Sequence, residues 1–345
     1  MPHFTIVADP SESEWTKALS SMEEGNYGQT FEYGEVWSTL PHMNVLRLLA
    51  MDDGDCVGLL QAVYRSRFGI GVAMRVGGIA GGAPLTKGNQ DQRRRTLDRL
   101  LQAVDGSAQS RRIIQGRVWW EAKWGMNEAF LNRNYKVARE LNIYAVPLLP
   151  PEELWKKLHH NKRRNIRQAM KKGVEIVEGQ DHQGFLSFYS MHLESCRRAN
   201  IGHAPLKELE GFWNLLRPKG KATLFLARWK GKDVAGAFVL IQGNTASVPC
   251  AGSLEEGWEA RPNDYLHWKI MEWAHQQGLS RYHMGGINPD PHASSYGVYR
   301  WKIEYGGTME KMLNYDKVYL PRLAGLIEKG LVPPYRALKK LRRRR

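Results

Sequence analysis

The chain has 345 residues, 42% hydrophobic and 25% charged, with a formal net charge of +15. That is enough for two globular domains of ordinary size, each with its own core. Three scattered cysteines (Cys56, Cys196, Cys250) lack a C-x-x-C or a histidine-spaced partner, which argues against a disulfide framework or zinc site and for a reducing, cytoplasmic compartment. The opening M-P-H-F-T lacks the basic flank and apolar core of a signal peptide, and no apolar run approaches bilayer-spanning length.

Phe4–Val7 reads as a strand, and Ser11–Met22 as a Ser-capped helix with Trp15, Ala18, Leu19 and Met22 on one face. Asn44–Met51 and Asp55–Tyr64 are apolar runs joined by Asp52-Asp53-Gly54, a hairpin signature. Gln90–Val104 is a helix on the spacing of Leu97, Leu100, Leu101 and Val104, and Arg112–Trp119 and Lys136–Val146 are strands. The Leu148-Leu149-Pro150-Pro151 punctuation then divides the chain into domains 1–150 and 151–320, with 321–345 as a basic helical tail.

Leu154–Lys172 is predicted as one helix, and from Trp155 onward it carries eight Lys/Arg and no acid. Arg163 and Arg167 lie four apart and share a face that Lys171 continues, while Leu158, Ile166, Ala169 and Met170 turn inward. Such a ridge suits the phosphates of RNA, and equally a solvated helix face. Helices follow at Phe185–Ala199 and Lys207–Leu216, then strands at Thr223–Trp229, Val234–Gln242 and Ala246–Ala251. Asp264–Gln277 is a helix with a Leu266, Ile270, Trp273 and Ala274 face; Ser280–Met284 and Gly307–Tyr315 are strands. Leu331–Arg345 adds seven bases and no acid, a frayed tail or a contact for an anionic membrane or another polyanion.

Between those last two strands, Y-H-M-G-G (Tyr282–Gly286) precedes a polar loop and then Y-R-W-K-I-E-Y-G-G (Tyr299–Gly307). Glycines permit close approach to a ligand, and Lys302 among aromatics can hold its charge in a partly dry site; a core aromatic turn with a solvated lysine is the alternative. Residues 53–58 and 230–235 are alike and occupy matching places between two strands. The repeated order predicts two α/β domains of one design, each a mixed central sheet flanked by helices.

Four segments carry a family resemblance: Gly28–Val36 (GQTFEYGEV), Asn161–Val174 (NKRRNIRQAMKKGV), Asp264–Gly286 and Tyr299–Gly307. In order and content they resemble the FemABX group of peptidoglycan bridge-forming aminoacyltransferases and the wider Fem-like GNAT proteins. The resemblance implies tandem GNAT-like domains (the acyl-CoA N-acyltransferase fold). It also implies an enzyme that forms an amide on an amine of a cell-envelope precursor or peptide. The donor would be aminoacyl-tRNA, with no metal or tightly bound cofactor. It places Lys302 at the reacting carbonyl beside Trp301, and points to Tyr33, Trp37, Tyr299, Trp301, Gly285 and Gly286 as substrate-binding. Arg163, Arg167 and Lys171 would hold RNA phosphates. Glu121 stands two residues beyond Trp119, which occupies the place of the family's acidic residue, and is the candidate base beside His267 or solvent. Trp37 replaces the lysine of members that use a UDP-linked muropeptide, and the phosphate-gripping Arg and Tyr have no counterpart in His203–Leu209. Two alternatives remain. Arg75-Val76-Gly77-Gly78-Ile79-Ala80 fits the R-x-x-G-x-A pattern of acyl-CoA-dependent N-acyltransferases. The basic helix and tail alone would serve a non-catalytic RNA- or membrane-surface-binding module.

Overall fold

A computed structural model describes residues 4–22, 27–77 and 82–330, without the side chains of 327–330. Gly78–Ala80 of the glycine pattern and the Leu331–Arg345 basic run lie outside the described residues. The first half runs β1 (Phe4–Ala8), α1 (Glu12–Ser20), α2 (Phe31–Ser38), β2 (Met43–Asp52), β3 (Asp55–Arg67), β4 (Ile70–Val76), β5 (Leu85–Thr86), α3 (Gln90–Ser110), β6 (Ile113–Glu121), α4 (Asn127–Leu131) and β7 (Lys136–Pro147). The second runs α5 (Pro151–Lys157), α6 (His160–Lys171), β8 (Glu175–Glu178), α7 (His182–Ala199), α8 (Leu206–Leu216), β9 (Ala222–Trp229), β10 (Lys232–Gln242), β11 (Thr245–Ser253), α9 (Pro262–Gln276), β12 (Arg281–Ile287), α10 (Tyr296–Ile303), β13 (Thr308–Val318) and α11 (Pro321–Gly330).

Among the described residues the strands form one sheet, in the order β1-β2-β3-β4-β6-β13-β7-β12-β11-β10-β9-β8, with β5 added to β3. The order is symmetric about the β13–β7 pair. On each side an antiparallel meander ends in a parallel pair, β4 with β6 and β11 with β12. The final strand of each half is exchanged: β13 pairs with β6 of the first half, and β7 pairs with β12 of the second. The division at 150 is therefore bridged at the centre of the sheet by the β13–β7 ladder.

Local chemistry explains the elements that hold the two halves. The α2 N-cap is Thr30, whose Oγ1 accepts the Tyr33 amide. Gln29, fully buried just before it, accepts the Gln61 amide of β3 on Oε1 and donates to Gly82 O through Nε2. The resembling G-Q-T segment thus clamps α2 onto the first half. The outer face of α2 packs on α8, where Gly211 lies so near Val36 that a Cβ would stand 2.7 Å from Val36 Cγ1. Tyr33, Val36 and Trp37 of α2 join Phe185, Phe188, Phe212 and Trp213 of the second half in a shared apolar core. At about 25 cal/mol per Å² of buried apolar surface, aromatics of this size weld the halves together.

One predicted helix needs correction. Leu154–Lys172 is not one helix: Leu158 leaves the helical conformation (ψ 138°) and is buried, and His159 caps a new helix through Nδ1 to the Asn161 amide. Burying Leu158 outweighs continuing the helix. Met170 then points outward, 55% exposed, and Lys162 takes the inward position with Ile166 and Ala169. The Tyr299–Gly307 run, for which a core aromatic turn was the alternative reading, begins within helix α10, which ends at Ile303.

Candidate active site

The parallel pair β11–β12 is bonded only at Thr245–Arg281, Ala246–Tyr282 and Ser247–His283. Beyond that rung both strands deviate. β11 slips register against β10 around Val248 and Pro249, where proline lacks the amide needed to continue a ladder. β12 slips against β7 between His283 and Gly286. The strands diverge, leaving a notch in the sheet. Gly285 sits there at φ +80°, a conformation that favours glycine, and its amide donates to His283 Nδ1 (3.2 Å).

The carbonyls freed by this divergence hold Lys302. Its Nζ donates to Met284 O (2.6 Å) and Gly286 O (3.0 Å). An ammonium has three donors, so two fix its position and the third is available to a ligand at the notch. Burial lowers the Lys302 pKa to about 8. The ammonium is thus a cation in a dry setting, suited to stabilising an oxyanion.

Helix α10 carries Lys302 and is itself anchored by a buried polar cage. Lys162 of α6 is fully buried; its Nζ meets Asp264 Oδ1 at 2.5 Å and Glu304 Oε2 at 3.4 Å, beneath the Trp301 and Tyr305 rings. Asp264 also accepts Trp301 Nε1 (2.8 Å) and Asn165 Nδ2 (3.1 Å). Burial holds the Lys162 ammonium below the usual lysine range despite both carboxylates. Trp301 therefore faces this cage, one residue before Lys302 turns to the notch. His267 bonds Tyr282 Oη (2.6 Å) in the same core, and burial, then the Lys302 and Lys162 charges, hold it at about 3. It is too weak a base to take a proton at neutral pH.

The other predicted residues fall in separate places. Gly285 and Gly286 form the notch with Lys302, and Tyr299 stacks on Tyr296 one turn before it (5.6 Å). Tyr33 and Trp37, each 8% exposed, lie at the α2–α8 seam with Tyr27 and Phe212. Glu121 ends β6, opposite Met312 of β13, and pairs with Lys123 (3.0 Å). On α6, Arg163 caps α5 through Trp155 O and Lys156 O, while Arg167 lies over the Trp155 ring (5.4 Å). Arg164, Arg167 and Lys171 are the exposed cations of that helix. Sequence reasoning missed Lys162 and Asp264. Only for Lys162 did a signal exist: it sits four residues before Ile166 and seven before Ala169, on the apolar stripe.

The model of the acetyltransferase (GNAT) domain family matches residues 157–302, from the end of α5 through Lys302. Lipid II:glycine glycyltransferases are 28% identical: that of Staphylococcus epidermidis over 103 residues, and that of Staphylococcus aureus USA300 over 102. Residues 157–302 are therefore GNAT-like in sequence. The stretch matched to these glycyltransferases is 29% of this chain and spans about a quarter of the length of these curated relatives (25% and 24%). Its fold is similar to that of FemX, with TM-score 0.78 at 15% identity over 94% of this chain and 100% of that one. A tandem GNAT protein from the clavulanic acid pathway is similar at TM-score 0.59 and 12% identity, over 92% of this chain and 98% of that one. The tandem GNAT-like fold is thus shared, strand exchange and all its consequences being read from this chain. Among the described residues, no group of His, Cys, Asp and Glu is placed to hold a metal, and no helix is long and apolar enough to cross a membrane.

Proposed function

We propose that this chain is an acyltransferase that forms an amide on an amine of a cell-envelope precursor or peptide, with aminoacyl-tRNA as donor. The observation that carries the reading is the Lys302 ammonium held by two backbone carbonyls at the point where β11 and β12 part. An ester carbonyl entering the notch meets the remaining Lys302 N–H. As the acceptor amine attacks the carbonyl carbon, charge builds on oxygen and the ammonium stabilises it. The C–N bond forms, the ester C–O bond breaks, and the amine proton passes through solvent to the departing hydroxyl. The acceptor class is supported by the lipid II:glycine glycyltransferases that match the chain. The donor is supported by Arg164, Arg167 and Lys171, exposed on a helix whose first turn has no acid.

The test is transfer of labelled amino acid from mixed charged tRNA to lipid II or its stem peptide, read as base-stable amide, with acyl-CoA run in parallel. Charged tRNA supports transfer, and Lys302→Met lowers kcat by about 10²–10³ with little change in KM. Transfer from acyl-CoA alone refutes the donor assignment. Full turnover by Lys302→Met refutes the site.

A further inference from the structure

The hairpin joining β3 to β4 turns on two residues, Phe68 and Gly69, between the paired Arg67 and Ile70. Both stand at positive φ (+53° and +74°), as a tight two-residue hairpin demands. Asn, Asp or Gly suits the first of these positions, and a bulky aromatic there is strained. Phe68 gains no packing in return: it is 89% exposed, and a Cβ built on Gly69 meets nothing within 4 Å. A strained apolar side chain that the core does not use points to a partner.

The surroundings of the tip are basic. No acid occurs from Cys56 to Gln90 or from Gly106 to Trp120. Arg65 and Arg67 are exposed behind the tip, and Arg67 lies over one face of the Phe68 ring, Cζ 5.0 Å from its centroid. The α3–β6 junction adds Arg111, bonded to Tyr64 Oη (3.1 Å), and the exposed Arg112, whose carbonyl accepts the Gly71 amide (3.2 Å). None of these four has a carboxylate within ion-pairing distance among the described residues. Helix α11 starts from the same end of the sheet, where the Tyr319 and Leu320 amides donate to Ile114 O, and it exposes Arg322 and Leu326 (67%).

We propose that this end of the first half seats on an anionic lipid bilayer, Phe68 entering the interfacial layer while the arginines meet lipid phosphates. Arg67 already covers one ring face, and the ring stands on a tip rather than in a groove. A wedge into lipid therefore fits better than a platform for a nucleobase. From Ile113 at this end, β6 covers about 26 Å to Glu121, which lies opposite Met312 of β13. An acceptor anchored in that bilayer then presents its amine nanometres from its lipid. This consequence rests on the transferase reading; the docking does not.

The test is flotation of the full chain with phosphatidylcholine vesicles, with and without phosphatidylglycerol, over a salt series and with no donor or acceptor present. The parent binds the phosphatidylglycerol vesicles and not the pure phosphatidylcholine ones. Phe68→Asn, which suits the turn, holds or raises the urea midpoint, yet weakens vesicle binding about five- to tenfold and leaves the remainder more sensitive to salt. Arg65→Gln/Arg67→Gln weakens it about tenfold or more. The basic Leu331–Arg345 run is intact in both variants, so vesicle binding that neither changes belongs to that run and overturns the proposal. No vesicle binding by the parent, or a Phe68→Asn loss confined to tRNA binding, also overturns it. The two readings fail separately. Vesicle binding through the tip without amide formation from any donor sinks the transferase alone; transfer to a water-soluble amine without vesicle binding sinks this surface alone.

Discussion

Lys162→Met keeps the length of the side chain and deletes its charge. In the folded protein that charge is 0% exposed and contacts Asp264 Oδ1 at 2.5 Å and Glu304 Oε2 at 3.4 Å. Removing one partner of a buried ion pair costs about 3–5 kcal/mol, chiefly because the other charge is stranded. Here Asp264, 4% exposed, keeps donors from Trp301 and Asn165, and Glu304 has a quarter of its side chain in water. Those features place the loss near the lower end, about 3 kcal/mol. Urea unfolding at pH 7 measures it, and the double variant Lys162→Met/Asp264→Asn recovers part of the loss because the more deeply buried of the two stranded carboxylates is gone. A single-variant loss below about 1 kcal/mol, the level of an exposed pair, or a double variant no more stable than the single, refutes the reasoning.

Three further outcomes are expected. If the Lys302 ammonium stabilises the oxyanion, the rate falls as pH rises through about 8, the value to which burial lowers it. Lys302→Arg, whose charge persists, carries the plateau to higher pH; a profile identical to the parent's removes the assignment. His267 and His283 are both held near 3 by burial, so between pH 6.5 and 3 the unfolded chain binds more protons than the folded one. Stability then declines on acidification over that window by about 1.4 kcal/mol per pH unit for each histidine, and His267→Gln reduces the slope of urea stability against pH; an unchanged slope rejects this account. Replacing Arg164, Arg167 and Lys171 together by alanine reduces the salt dependence of tRNA binding by about two to three units of log–log slope, and an unaltered slope in a filter-binding series removes α6 from the RNA contact.

What was legible in the residues divides by distance along the chain. The capped α1, the hairpin at Asp53–Gly54 and the amphipathic α3 and α9 announce themselves through local spacing, and the structure contains each of them. Lys302 and its glycine pair also carry a local signal, because a lysine among aromatics beside Gly-Gly is unusual chemistry for a turn. β8 is four residues long, too short for its alternation to register, and β4 runs directly into a glycine run that masks its end. Lys162 was concealed by its company: within a run of eight bases its charge argued for solvent, and only its place on the Ile166–Ala169 stripe argued for burial. A pairing such as Met312 with Glu121 leaves no periodic trace in either segment.

The exchanged strands bear on how the molecule can come into being. Residues 1–147 emerge from the ribosome with β6 and β7 lacking the ladder between them, and their partner arrives only when residues 308–318 are synthesised. Neither half can reach its native hydrogen bonding as an isolated fragment, so the last native pairing closes a loop of nearly two hundred residues. Until then two neighbouring strand borders are open to strangers, and a second nascent copy offers the same missing segment in trans. Tandem architecture here means one obligate folding unit, not two beads on a string.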